Sequence, residues 1–215
     1  MDEIISIALL SIKISFLSTL ISTIIALPLA IILGLREGRI VKTFINAFTG
    51  LPPVIAGVAV YLLFSNDGLF GSLSWLYTEK VIIIAQVIIV IPIICANIYP
   101  SVESMKDNYL LTSFGLNLPA LKIKRQLVKE NKFQIMSAVL SGFGRAISEV
   151  GAVMIVGGNI RYKTRVLTSA IVLENNKGNY PMSIKLGIIL MLISFAVSFT
   201  AMFFSRRSND KDKKN

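Results

Sequence analysis

Histidine is absent from this chain and cysteine occurs once, at Cys95. An intrachain disulfide is therefore excluded, and a zinc site built on Cys and His has almost no ligands to draw on. Charge is also scarce: 16% of residues are charged, against roughly 25% in an average soluble domain. No Gly-Lys dipeptide occurs, so GxxxxGK[ST] is missing and the chain cannot cradle nucleotide phosphates in a P-loop. Within the apolar runs there is a single carboxylate, Glu149, which leaves no Ser/His/Asp, Cys/His or paired-carboxylate set for an intramembrane hydrolase. What the chain does have is apolar length. Of its 215 residues 54% are hydrophobic and mean hydropathy is +0.71, which places it among multi-pass proteins of the cell membrane.

A window of about 19 residues finds five stretches able to cross a bilayer: Ile4 to Leu35, Phe44 to Phe64, Val81 to Tyr99, Ile135 to Val156 and Ser183 to Phe204. The reading is an all-α integral membrane protein of about five spans, with its two ends on opposite sides. The first run, 32 residues, gives about 48 Å of helix against a hydrocarbon core of about 30 Å. It must tilt, kink or protrude, and Pro28 marks a kink one turn earlier. Lys13 is expected near an interface. A cleaved signal peptide is not expected, because the run opens on acidic Asp2 and Glu3 and is too long. Arg165 to Leu173 is too short to span, and a sixth, re-entrant outer helix there stays open as an option.

Orientation follows from the basic residues. With the N-terminus outside, the inner segments Arg36 to Thr43, Pro100 to Gln134 and Ser205 to Asn215 hold fourteen Lys and Arg, and the outer loops hold five. The net charge of +10 then faces the cytoplasm and anionic lipid, and nucleic acid need not be invoked. Residues 1–205 form the transmembrane domain and 206–215 a basic cytoplasmic tail.

The long inner segment, about 100–134, needs structure of its own. Apolar residues at Val102, Met105, Tyr109, Leu110 and Phe114 have helical spacing, and Gly115 follows where a left-handed residue would end the helix. Asn117 suits an N-cap and Pro119 a first turn. The second helix has a greasy side, Leu121, Leu127 and Val128, and a basic side, Lys122, Lys124, Arg125 and Lys129. Such a hairpin lies on the membrane surface or is offered to a cytoplasmic partner. Composition does not separate the two.

This pattern resembles the conserved cytoplasmic loop of permease subunits of binding-protein-dependent ABC importers, with Thr112-Ser113-Phe114-Gly115 where that family has T-L-G. The family's E-A-A is here Tyr109-Leu110-Leu111 and its later L-P is Leu127-Val128, departures that point toward the tungstate-type permeases of the molybdate, tungstate and sulfate group. Gly50 to Leu63, Gly142 to Ile160 and Thr164 to Glu174 are similar to further signatures of that group. The resemblance implies an all-α permease for tungstate, or alternatively molybdate or sulfate, and not an enzyme. It implies two copies of this chain, a pair of cytoplasmic ATPases that bind the ATP and Mg²⁺, and an extracytoplasmic tungstate-binding protein. It also implies that Tyr109, Leu110, Leu111, Ser113, Phe114, Gly115 and Leu116 dock on the ATPase. This chain itself would hold no cofactor or metal. A stand-alone ion-coupled carrier is disfavoured by the lack of a clear repeat and of further intramembrane acids.

Arg145 and Glu149, four apart, share one helix face. They either neutralise each other and hold the bundle together, or one lines the pathway. The first is favoured, because a fixed charge strong enough to bind the anion would slow its release. Gly142, Gly144 and Gly151 invite close helix approach, and Cys95 reads as packing. Pro52 and Pro53 open a span and Pro92 interrupts one, which makes them gating candidates. Gly157, Gly158 and Asn159 lead into Arg161, Lys163 and Arg165, a basic rim able to concentrate an oxyanion or steer an acidic docking protein. A plain solvated loop accounts for them equally.

Overall fold

The computed structural model describes residues 2–36, 38–106 and 120–212. Among these residues the fold is all-α. Helix α1 (Asp2–Leu35) is followed by α2 (Arg39–Thr49), α3 (Pro53–Phe64), a short 3₁₀ turn (Gly71–Leu73) and α4 (Glu79–Ser104). Then come α5 (Ala120–Glu130), α6 (Lys132–Ile147), α7 (Gly151–Gly157), α8 (Leu167–Asn176) and α9 (Tyr180–Asp212). Three helices, α1, α4 and α9, are long and apolar enough to cross a membrane by themselves, and up to five crossings result if the bent pairs α2/α3 and α6/α7 each count as one.

Helix α1 continues through Pro28 as one element, and α4 likewise runs through both Pro92 and Pro100, so it extends past the expected end at Tyr99 to Ser104. The two pack side by side and parallel. Lys13 Nζ meets Glu79 Oε2 at 2.6 Å, Ser18 meets Gln86, and Cys95 Sγ donates to the Ala26 carbonyl at 3.3 Å. At the far end a Cβ on Gly34 would stand 2.6 Å from Val102 Cβ, so the backbones approach as closely as glycine permits. Ser11, Ser15, Ser18, Thr19 and Ser22 form a buried small-residue stripe along α1. Apolar residues on the same seam, Ala26 and Ala30 against Val90, Ile94 and Ile98, belong to one buried core cluster.

Two parallel neighbours in one chain require a return between them, and α2/α3 supplies it. That stretch is not one helix: α2 and α3 meet at 97°. Pro53 occupies the first turn of α3 and Pro52, which precedes a proline, is extended at φ −60°, ψ 124°, the conformation that a following proline imposes. The 12 residues of α3 make only about 18 Å. Helix α2 rests on α4 through Lys42–Glu103 (2.6 Å) and Asn46 Nδ2 to the Tyr99 hydroxyl (2.8 Å).

Helix α6 runs antiparallel to α4, from Gln134 Nε2 on the Asn97 carbonyl (2.9 Å) to the Ala146 carbonyl under Gln86. Helix α9 reverses again, with Phe204 stacked on Phe133 and Val197 nearest to Gly144. Its outer face, Met191, Leu192, Phe195 and Phe199, is exposed.

Candidate functional site

The chemistry gathers where α6 gives way to α7. The two helices meet at 57°, and no proline lies at the break, Ser148 to Val150. Backbone freed inside an apolar bundle must find partners within the protein, and here side chains of α4, α8 and the break itself provide them. Gln86 Nε2 of α4 donates to the Ala146 carbonyl at 3.0 Å, and Thr168 Oγ1 of α8 donates to the Glu149 carbonyl at 2.7 Å. Glu149 Oε1 accepts the Ala152 N–H at 3.2 Å, so the carboxylate caps the first turn of α7. Its other oxygen accepts from Arg145 Nη1 at 2.8 Å.

The pair is asymmetric. Glu149 is 2% exposed and Arg145 32%. Glu149 is thereby held by a guanidinium and a backbone N–H within the protein. Arg145 also faces a cavity of about 550 Å³, open to the surface between α4, α6 and α9 and lined by Ser141, Ser148, Ser194 and Ser198 together with apolar Ile93, Leu140 and Val197. The serines of α9 lie far from Arg145 in sequence, and the fold brings them to the same wall.

The predicted proline and glycine candidates distribute differently. Pro52 and Pro53 lie at the α2/α3 break, which abuts the α6/α7 break: a Cβ on Gly151 would stand 2.8 Å from Val54 Cγ2. Pro92 is buried within α4, beside the cavity-lining Ile93. Gly157, Gly158 and Asn159 stand apart from Arg145, in a tight reversal at the end of α7. Gly158 has φ +65° and Asn159 φ +52°, and Thr164 Oγ1 donates to the Gly157 carbonyl at 2.6 Å while accepting the Ile160 N–H.

The basic rim is partly neutralised from within. Arg161 grips Glu3 with Nε and Nη2 at 2.8 and 2.6 Å, and Arg165 Nη1 reaches the same carboxylate at 3.4 Å. The hydrogen bond to Glu3 raises the Arg161 guanidinium above its ordinary value. Lys163 is exposed beside them. Glu174 is pulled below the usual carboxylate range by its bonds to Lys177 and Asn179.

Helix α8 is 10 residues long, and its first half is buried, with the Leu167 N–H donating to Ser11 Oγ at 2.7 Å. Tyr109, Leu110, Leu111, Ser113, Phe114, Gly115 and Leu116 lie outside the described residues. The segment that leads back from them is anchored. Leu127 of α5 is fully buried, and Asn131 accepts from Ser101 and donates to the Leu127 carbonyl at 2.9 Å.

Sequence reasoning missed Glu3, Gln86 and Thr168. Gln86 carried a signal, as the sole polar side chain from Val81 to Val90; the other two had none short of the fold.

No family model matches the chain. It is 35% identical over 199 residues to the tungstate uptake system permease protein TupB of Peptoclostridium acidaminophilum, covering 91% of this chain and 87% of that protein. Identity is 37% over 161 residues to the TupB protein of Campylobacter jejuni, covering 75% and 67%. A probable anion ABC transporter permease protein of Haloferax volcanii is 32% identical over 213 residues, covering 95% and 92%.

Proposed function

Since the chain belongs to the permease subunits of ABC importers for oxyanions of the tungstate, molybdate and sulfate group, we propose that it carries tungstate into the cell. The observation that carries this reading is the similarity to two tungstate permeases along most of the chain. Energy is supplied by a separate ATPase pair that binds ATP and Mg²⁺. Two copies of this chain share one axis, because a single bundle of this size is small for a complete pathway. A secreted tungstate-binding protein delivers the anion.

Five crossings with the N-terminus outside account for the alternation of helix directions: α1, α4 and α9 run one way, and α2/α3 and α6/α7 return. The basic asymmetry of the loops favours the same orientation. Residues 1–205 then make up the permease domain, residues 206–215 the basic inner tail, and α8 a re-entrant outer helix. The loop within about 100–134 faces the cytoplasm, where Tyr109 to Leu116 contact the ATPase. Pro52, Pro53 and Pro92 flank the moving parts of the pathway, and Gly157 to Asn159 with Arg161, Lys163 and Arg165 form its outer mouth.

The test is tungstate uptake by cells that lack their own importer and receive this chain with its ATPase and binding protein. Uptake that depends on all three is expected, and loss of uptake with Phe114→Asp or Gly115→Val while the chain remains in the membrane. Equal uptake without this chain would refute the assignment. Normal uptake and ATPase co-purification in both variants would remove the loop from the contact.

A further inference from the structure

The geometry points to the cavity between α4, α6 and α9 as a transit site for a tetrahedral dianionic oxyanion, held by Arg145 with Ser141, Ser148, Ser194 and Ser198. This inference rests on the oxyanion-import reading and deepens it. Helix α9 sorts its surface: Phe195 and Phe199 are exposed on one side, while Ser194 and Ser198, one turn apart, meet the α6 face that carries Ser141, Arg145 and Ser148. The same wall carries the Arg145 guanidinium and the four hydroxyls. Ionisable groups in spans face the protein interior or a water-filled cavity. The volume, about 550 Å³, admits a four-oxygen ion with room to pass.

The donor inventory matches the ligand. An oxyanion dianion offers acceptors alone, and a guanidinium has five N–H donors. Among the described residues only Nη1 of Arg145 is engaged, on Glu149. The Ser141 and Ser148 hydroxyls now donate to the helix carbonyls of Ser137 and Gly144, and each can turn its proton to an anion by rotating one bond. Glu149 sets the strength. It cancels the formal charge of Arg145 at 2.8 Å, so the dianion meets directional donors without a deep electrostatic well, as an ion that must leave again requires.

The experiment uses the full-length chain assembled with its ATPase in membranes, with cysteine placed by Ser194→Cys, Ser198→Cys or, as a lipid-face control, Phe199→Cys. Cys95 is fully buried and stays in place. An anionic thiosulfonate reagent modifies only thiols that reach water. We expect modification at 194 and 198 and none at 199. Tungstate at about four times its dissociation constant should slow modification about fivefold, a ratio set by site occupancy, and Arg145→Gln should abolish this protection while modification persists. Cysteines at 194 and 198 as inert as the one at 199 would overturn the site, as would modification that tungstate leaves unchanged. Uptake by the unsubstituted assembly separates the two levels. Transport without protection removes the cavity alone; absence of both removes the import reading and the site with it.

Discussion

Ser18 Oγ donates to Gln86 Oε1 at 2.7 Å, and the amide nitrogen of the same Gln86 donates to the Ala146 carbonyl at 3.0 Å. One side chain on α4 thus ties α1 to the end of α6, just before the break that presents Arg145 and Glu149. Gln86 is 3% exposed, so neither bond has water to replace it. Interhelical hydrogen bonds in membrane proteins contribute about 0.6 to 2 kcal/mol each. Gln86→Leu should therefore lower stability by about 1 to 3 kcal/mol, more than Ser18→Ala. Thermal unfolding of the purified protein in detergent checks the order. Equal midpoints for Gln86→Leu and the parent would show that the α6/α7 break does not depend on this amide.

Glycines that look alike in sequence separate by what surrounds them. A Cβ on Gly142 would stand 2.9 Å from Ile94 Cγ1, and one on Gly57 2.7 Å from Ala152 Cα; at Gly144 the nearest atom, Val197 Cγ1, is 3.9 Å away. Overpacking a filled contact costs about 1 to 3 kcal/mol. Gly142→Val and Gly57→Val should reduce the amount of folded protein in the membrane, whereas Gly144→Ala should be tolerated. Fluorescence-detected size exclusion of the three variants decides. A monodisperse Gly142→Val peak of parental height would contradict the packing described.

The sequence revealed those parts of this architecture that are local. The long apolar runs of α1, α4 and α9 needed only hydropathy, and Arg145 with Glu149 needed only a spacing of four. The bend before α3 was foreshadowed by Pro52 and Pro53, although Phe44 to Phe64 read as one run because both arms are apolar. The bend after α6 had no such marker. It is produced by contacts from elsewhere: Gln86 on Ala146, Thr168 on Glu149, and the Glu149 carboxylate turned onto Ala152. Periodicity is blind to bonds of that kind. For the same reason Arg161 and Arg165 read as free cations until the fold brought Glu3 to them, and Ser194 and Ser198 read as scattered hydroxyls.

Orientation can be tested with the native cysteine in place, since Cys95 is buried and Asn175 and Lys122 are exposed. With the N-terminus outside, Asn175→Cys should react with an impermeant thiol reagent added to intact cells. Lys122→Cys should react only after the membrane is opened. The reverse pattern would invert the orientation and move the loop from the ATPase side to the outside.

Discrimination between tungstate and molybdate should not reside mainly in this chain. The two anions carry the same charge and have nearly the same tetrahedral size, so telling them apart needs closely fitted donors on all sides. The cavity beside Arg145 is not built that way. At about 550 Å³ it is far roomier than a four-oxygen ion, and two of its hydroxyls are shared with helix carbonyls. Its one guanidinium is already paired with Glu149. Such a wall recognises an oxyanion as a class. Tight fitted binding along the pathway would also hold the ion instead of passing it on, which assigns the selective step to the delivering protein. A molybdate-selective binding protein engineered to keep the native docking face would exchange that step alone. Uptake in the hybrid should then follow the new binding protein and favour molybdate. A strong tungstate preference that survives the exchange would make this chain the filter, and Arg145→Lys would be the first variant to compare for both anions.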